Sequence, residues 1–268
     1  MLSKINNSIL ILSLSVFLLI FSSIKVFADE NVSASEETEA DVEEILVTAN
    51  RTEQSISDVS QAVQALSGDD LQDLQITDFE QMIDLIPGGV QNSSISQGSN
   101  VYSIRGVASA ETDGDATIGY YLDNFAFSLP GRPYAPVTDI YDTERVEVLR
   151  GPSGTLYGLG SLGGTIKVIT KDPVIGEFEG SFKATLADID DGDSSHTGDL
   201  MLNIPLSENA ALRGVLSIKD IGGWAEIIPS NQTNGNPYDG ITGRLKLLVE
   251  PSEDLSIKLT YWHQDSEQ

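Results

Sequence analysis

Five segments after Pro173 alternate strictly between apolar and polar side chains, and this alternation limits the fold more than any other feature. Each segment lasts about ten residues, and a period of two gives every strand one apolar and one polar face. The apolar faces begin at Phe178, Gly198, Leu212, Gly243 and Leu255. We therefore expect an antiparallel sheet whose two faces meet different surroundings.

The connections between these segments alternate in length. Ser207–Ala210 and Pro251–Asp254 are tight, whereas Asp188–Ser195 and Asp220–Gly240 are longer. Tight turns at one end and long loops at the other are typical of an outer-membrane β-barrel. A soluble antiparallel sandwich also alternates, so both folds stay open from the pattern alone. The charges on the polar faces and the alternating connections favour the barrel.

Composition narrows the classes of function. The 268 residues carry a net charge of -26, and such an anionic chain repels nucleic-acid phosphates. The chain has no cysteine, which excludes disulfides and cysteine–zinc sites. The two histidines, His196 and His263, are far apart in sequence, so no catalytic or metal site is expected and the chain is not predicted to be an enzyme.

The N-terminus has the pattern of an export signal. Lys4 precedes the apolar stretch Ile9–Phe21, and Val26-Phe27-Ala28 supplies small residues for cleavage before Asp29. The apolar stretch is shorter than the roughly 20 residues of a membrane-spanning helix, which favours a cleaved signal over an anchor. Residues 1–28 are therefore predicted to be a signal peptide, and the acidic residues 29–43 a disordered tail.

A short apolar island, Ile45–Ala49, follows directly on the acidic tail. An extended, exposed segment of this kind can add a strand to the sheet of a partner. It can equally be the first strand of the domain that follows. The residues alone do not decide between these two interpretations.

Glu144–Pro173 is predicted to form a strand, a glycine-rich loop and a second strand. Gly158–Gly163 fits the dinucleotide pattern GxGxxG, but a strand follows it where that motif needs a helix, so we reject a nucleotide site. The preceding residues Asp139–Thr143 are predicted to form a short helix.

Several motifs together resemble a TonB-dependent outer-membrane receptor. Glu43–Arg51 (EEILVTANR) is similar to a TonB box, and Ser103–Val107 (SIRGV) and Gly119–Asn124 (GYYLDN) resemble strands of the family's plug domain. Phe79–Val90 resembles the plug's helix with its Pro-Gly turn. The most specific match is Arg145–Pro173, RVEVLRGPSGTLYGLGSLGGTIKVITKDP.

The resemblance implies a fold class and a location. It implies an α+β plug domain at residues 44–175, followed at 176–268 by the first antiparallel strands of a transmembrane β-barrel that has 22 strands in intact members. The chain is predicted to be a fragment, because five strands leave an open edge in lipid. The implied location is the outer membrane of a Gram-negative bacterium.

The resemblance also implies functional residues. The segment that would contact TonB comprises Glu44, Ile45, Leu46, Val47, Thr48 and Ala49. Arg105 and Arg150 would latch the plug to glutamates of the barrel wall. Plug structure would depend on Gly106, Gly151, Pro152, Gly154, Gly158 and Gly164. Substrate-contacting residues are unknown, although Gln91–Asn100 and Glu111–Ala116 are candidates.

The implied function is TonB-energised uptake of a scarce substrate, most simply a ferric siderophore or similar metal complex, with vitamins and glycans as other substrate classes. TonB with its inner-membrane energising complex, the substrate and outer-membrane lipid would be the partners. Iron would enter only within the substrate, with no resident cofactor. Two alternatives stay open: a soluble acidic periplasmic binding protein with a β-sandwich, and a non-transporting remnant.

Overall fold

The structure is a computed structural model that describes residues 46–48, 51–76, 79–94, 100–108, 115–127, 139–158, 160–188, 190, 192–227 and 232–267. The predicted signal peptide, the acidic tail, Glu44, Ile45 and Ala49 lie outside the described residues, as do parts of both candidate substrate loops. Within the ranges given, no helix has both the length and the apolar character needed to cross a membrane.

The first part of the described chain forms short strands and three short helices. The helices are α1 (Gly68–Asp73), α2 (Phe79–Ile83) and α3 (Gly154–Tyr157), with a 3-10 turn at Ile56–Asp58. Ser67 is the N-cap residue of α1 and forms a capping box with Asp70, which satisfies backbone N–H groups at the helix start. The strands are β1 (Leu46–Val47), β2 (Gln54–Ser55), β3 (Val63–Ser67), β4 (Gly89–Ser94), β5 (Asn100–Ile104), β6 (Val107–Ala108), β7 (Ile118–Leu122), β8 (Phe125–Ala126), β9 (Thr143–Arg150) and β10 (Gly164–Thr170).

A mixed sheet organises this domain, with strand order β3-β9-β10-β7-β8. Strand β10 runs antiparallel to β9 and parallel to β7. The pairing with β9 is regular from Gly164 to Ile169 and shifts by one residue before Thr170. Apolar side chains of β7, β9 and β10 pack against α2 and β5. The members of this core include Met82, Ile83, Ile86, Tyr102, Ile104, Ile118, Tyr120, Val146, Val148, Ile166 and Val168.

The second part of the chain is a sheet that we call the strand wall. Its strands, in spatial order, are β11 (Glu179–Asp188), β12 (Ser194–Ser207), β13 (Ala210–Ile221), β16 (Tyr238–Ser252) and β17 (Leu255–Glu267), and all neighbours are antiparallel. The longer connection between β13 and β16 carries a small hairpin of β14 (Ala225–Ile227) and β15 (Gln232–Gly235). The predicted strands and alternating turn lengths are confirmed.

The strand wall buries its polar face and exposes its apolar face. Asn203 and Arg213 are 0% and 3% exposed, whereas Leu259 and Tyr261 are 59% and 63% exposed. A soluble sandwich buries its apolar faces instead, so that alternative is wrong. An apolar band facing outward from a polar interior is the arrangement of a membrane barrel.

The region around Glu144–Pro173 is confirmed in part. The two predicted strands are present as β9 and β10, which pair antiparallel, and GxGxxG runs into strand β10 rather than into a helix. The short helix predicted at Asp139–Thr143 is wrong. Residues 141–142 form a turn in which Asp142 has a φ of 57°, and Thr143 already belongs to β9.

Candidate functional site

The N-terminal strand β1 is held against the plug sheet mainly through Thr48. The Thr48 backbone N–H donates to Glu147 Oε1 at 2.8 Å, and its hydroxyl contacts both Glu147 carboxylate oxygens at 3.3 and 3.1 Å. Lys167 Nζ donates to Thr48 Oγ1 at 2.7 Å. We call Thr48, Glu147 and Lys167 the Thr48 junction.

Glu147 is the centre of this junction. It is fully buried, yet its carboxylate is matched by Arg145 Nε at 2.9 Å as well as by Thr48. A buried carboxylate is tolerated only when its oxygens are paired in this way. Lys167 lies directly opposite Glu147 on β10. Burial lowers the pKa of Lys167, and the negative charge of Glu147 partly opposes that shift.

Tyrosines close the other side of the junction. The Tyr157 hydroxyl donates to the Thr48 carbonyl at 3.1 Å, and Tyr121 donates to the Tyr157 carbonyl at 2.5 Å. Burial, with a further contribution from Glu147, raises the pKa of Tyr157 to about 12, so the phenol stays protonated and able to donate. Arg51 lies over the Tyr157 ring, 5.3 Å from its centroid. Every polar atom of Thr48 therefore has a partner in the plug.

The segment expected to contact TonB is thus partly covered. Leu46 is 42% exposed, whereas Val47 is fully buried in a small cluster with Val59, Leu149 and Tyr157. Strand β1 also pairs with β2, with Leu46 opposite Ser55. The structure therefore places these residues as the first strand of the domain, which was one of the two interpretations left open by the sequence.

The two predicted latch arginines occupy different settings. Arg105 is exposed and, with Gly106, forms the two-residue turn between β5 and β6, where both residues have positive φ (53° and 77°). This is the backbone of a type I′ hairpin. Arg150 ends β9 and is half-buried, and its Nε has no hydrogen-bond partner within the described residues. A latch to barrel glutamates stays a prediction.

The glycine-rich loop needs its glycines to different degrees. Gly158 ends α3 with φ 70° and ψ -146°, a region that only glycine adopts readily. A Cβ at Gly164 would lie 2.4 Å from the Leu149 carbonyl oxygen. Gly151 also has a positive φ, whereas Gly154 has neither a positive φ nor a close neighbour. Pro152 is exposed between Gly151 and α3.

Sequence reasoning missed the strongest contacts between plug and wall. Asp142 forms a bidentate ion pair with Arg213: Arg213 Nε donates to Asp142 Oδ2 at 2.9 Å and Arg213 Nη2 to Asp142 Oδ1 at 2.5 Å. Arg244 Nη2 also donates to Asp142 Oδ2 at 3.1 Å. All three side chains are almost fully buried. We call this group the Asp142 clasp. In this group the plug supplies the acidic residue and the strand wall supplies the arginines. The predicted latch had the reverse arrangement, with plug arginines facing glutamates of the barrel wall.

A second ionic contact lies where the plug leads into β11. Lys246 Nζ contacts Asp172 at 3.0 Å, Asp123 at 3.2 Å and the Thr170 carbonyl at 2.8 Å, and Lys258 also pairs with Asp172. Burial acts to raise the pKa of Asp172, but hydrogen bonds from Lys258 and Lys246 outweigh it and the pKa lies below its usual value. The signal for both contacts was the row of basic residues on the polar strand faces of an acidic chain.

The described residues show no grouping of three or more His, Asp or Glu side chains that could hold a metal ion. What they do show is a compact plug sheet, an N-terminal strand held by a buried polar junction, and a strand wall whose polar face is ion-paired to the plug. This arrangement defines a class of protein, the plugged outer-membrane barrel.

Comparisons with known proteins agree with this class. Residues 55–165 match the family model of the TonB-dependent receptor plug domain. The chain is 30% identical over 144 residues to the pesticin receptor of Yersinia enterocolitica, covering 53% of this chain and 20% of that protein. It is 31% identical to the metal-pseudopaline receptor CntO of Pseudomonas aeruginosa, covering 67% of this chain and 23% of that protein.

A solved structure shows the same fold. The ferripyoverdine receptor of the outer membrane of Pseudomonas aeruginosa superposes with a TM-score of 0.65 at 22% identity, covering 82% of this chain and 27% of that one. The chain thus spans about a quarter or less of the length of these relatives. It contains the plug domain and adjoining barrel strands of a TonB-dependent outer-membrane receptor.

Proposed function

We propose that this chain is part of an outer-membrane receptor for TonB-energised uptake of a ferric siderophore or similar metal complex. The observation that carries the proposal is a plug domain ion-paired to the polar face of the strand wall, with its N-terminal strand held through Thr48 by side chains of β9 and β10. Relatives named as receptors for metal-pseudopaline and for ferric aerobactin support this substrate class. Relatives named as vitamin B12 transporters make cobalamin the second candidate.

In this proposal the handle is the segment Glu44–Ala49. Its backbone adds as a strand to the sheet of TonB, because main-chain pairing needs only an extended segment. A pull on the handle then disturbs β9 and β10, which hold Thr48 through Glu147 and Lys167. Arg105 and Arg150 are proposed to latch the plug to the barrel, and loops 91–100 and 111–116 to contact substrate. Iron enters only as part of the substrate.

Uptake by cells tests the proposal. A strain lacking its own siderophore receptors, but expressing the gene for this chain, should accumulate radiolabelled ferric siderophore only when TonB is present. A panel of ferric siderophores and cobalamin distinguishes the two candidates. Substrate accumulation that is equal with and without TonB would contradict energised uptake, and accumulation of cobalamin alone would replace the substrate class.

The handle has its own test. Val47→Pro removes a backbone N–H and should abolish uptake without preventing substrate binding to cells. The matched control is Val90→Pro at an exposed strand position outside the handle, which should leave TonB pairing intact. Unchanged uptake in the Val47 variant would refute the assignment of the handle.

A further inference from the structure

The Thr48 junction holds two opposite charges apart. Glu147 and Lys167 are directly opposite each other on β9 and β10 and point to the same face. Although both residues are among those the structure describes, their charged groups form no direct ion pair. The Thr48 hydroxyl lies between them instead, in contact with the carboxylate at 3.1 Å and accepting from Lys167 at 2.7 Å.

Directly opposed side chains on one sheet face are close enough to touch. If Thr48 left, Lys167 could turn to Glu147 and close the pair without backbone movement. Glu147 would also keep its bond to Arg145 Nε. Neither buried charge would then be left unpaired. An unpaired buried charge is what makes the removal of one partner from a buried ion pair so costly.

We infer that Glu147 and Lys167 are positioning residues for the handle, and that Thr48 is a removable wedge between them. With the wedge in place the handle is held. With the wedge withdrawn the direct Glu147–Lys167 pair forms and offsets the lost hydrogen bonds. This inference rests on the proposed function, because it concerns how the segment that meets TonB is released.

Lys167 contributes differently to the held state and to the released state of the handle. In the held state Glu147 has Arg145 and the Thr48 N–H and hydroxyl as partners, so it is satisfied without the lysine. In the released state the lysine is its main new partner. Removal of the Lys167 charge should therefore favour the held state, whereas an ordinary stabilising contact, once removed, would loosen the handle.

A spin label can measure this balance. The chain has no cysteine, so Leu46→Cys, at a 42% exposed position, gives a single attachment site. The nitroxide spectrum of the full chain in detergent reports the mobile and immobile fractions of the handle. Urea is added, at concentrations below the unfolding transition, until both the mobile and the immobile fraction are visible in the spectrum of the labelled Leu46→Cys protein.

Thr48→Val keeps the branched shape but removes the hydroxyl, and the ratio of mobile to immobile label should rise roughly fivefold to tenfold. Lys167→Met should lower that ratio, by at least about threefold. Lys171→Met, which removes an exposed plug lysine paired only loosely with Asp69, is the matched control and should leave the ratio unchanged.

A ratio that rises in Lys167→Met would overturn the inference, because it would make the lysine a plain stabiliser of the held state. The double variant Thr48→Val with Lys167→Met gives a second measure, since the inference requires the two effects to be non-additive. Additive effects would also overturn it. None of these readouts requires substrate or TonB, so failure of the wedge and failure of the proposed uptake are distinguishable.

Discussion

The plug sheet and the strand wall are both five-stranded, yet only the plug sheet packs a face of its central strands into an apolar core. In the plug, Val146, Val148 and Ile166 are at most 1% exposed and form the core. In the wall, Asp199, Arg213 and Ser217 are buried, whereas Leu216, Leu245 and Leu259 are exposed on the opposite face. Apolar and polar residues alternate along strands of both sheets, and the surroundings of each sheet decide which faces are buried. The plug is stabilised by apolar packing, and its attachment to the wall by charge.

The largest effect is expected from a substitution that breaks the Asp142 clasp between plug and wall. Arg213→Met should destabilise the docking of plug to wall by about 3–5 kcal/mol, because Asp142 would keep a buried charge with only part of its pairing. Hydrogen exchange of the residue 139–145 amides should accelerate accordingly. Lys171→Met, which removes an exposed pair at 3.8 Å, is the control and should cost under about 1 kcal/mol. Equal exchange in both variants would show that the Asp142 clasp does not hold the plug.

The next effect tests the apolar side of the comparison. Ile166→Ala in the plug core should cost about 2–5 kcal/mol, since it leaves a cavity beside Val148 and Tyr120 that the sheet cannot close. Leu259→Ala on the outward face of β17 should change stability in detergent by about 0.5 kcal/mol. Slow-exchanging amides of β10 give both values. A large loss in the Leu259 variant would mean that the outer face of the wall is packed against protein.

Substitutions at two glycines of the plug test which of them is required by the backbone conformation. Gly158→Ala forces a side chain into φ 70° and ψ -146° and should cost about 1–3 kcal/mol. Gly154→Ala, at the first residue of α3, meets no neighbouring atom and should be neutral or slightly stabilising, because alanine favours a helix. Thermal unfolding of the two variants checks this. Equal melting temperatures would contradict a conformational role for Gly158.

Much of the fold followed from local pattern. The strict alternation predicted the wall strands, and β-branched runs around the glycine-rich loop predicted β9 and β10. The charged contacts did not follow, because they join residues far apart in sequence, such as Asp142 and Arg213, and no spacing rule connects them. The short helix predicted at residues 139–143 was wrong because Asp142 has a positive φ, which is uncommon for a residue other than glycine and which local propensity does not predict.

The smallest effect concerns the second ionic contact and its pH dependence. The folded-state pKa of Asp172 lies below its usual value of 3.8, because hydrogen bonds from Lys258 and Lys246 outweigh burial. A depressed carboxyl pKa stabilises the folded state above the unfolded-state value, and the contribution is lost as the pH falls through the folded-state pKa. Asp172→Asn should therefore cost up to about 1 kcal/mol at neutral pH.

That difference between the parent and Asp172→Asn should shrink steadily once the pH falls below about 4, where the parent carboxylate also becomes protonated. Urea unfolding of both proteins from neutral to acidic pH measures it. Asp69→Asn, which alters an 87% exposed carboxylate, is the control and should show little change at any pH. A difference that persists undiminished at the acid end would mean that Asp172 acts through its shape and neutral hydrogen bonds, and not through its charge.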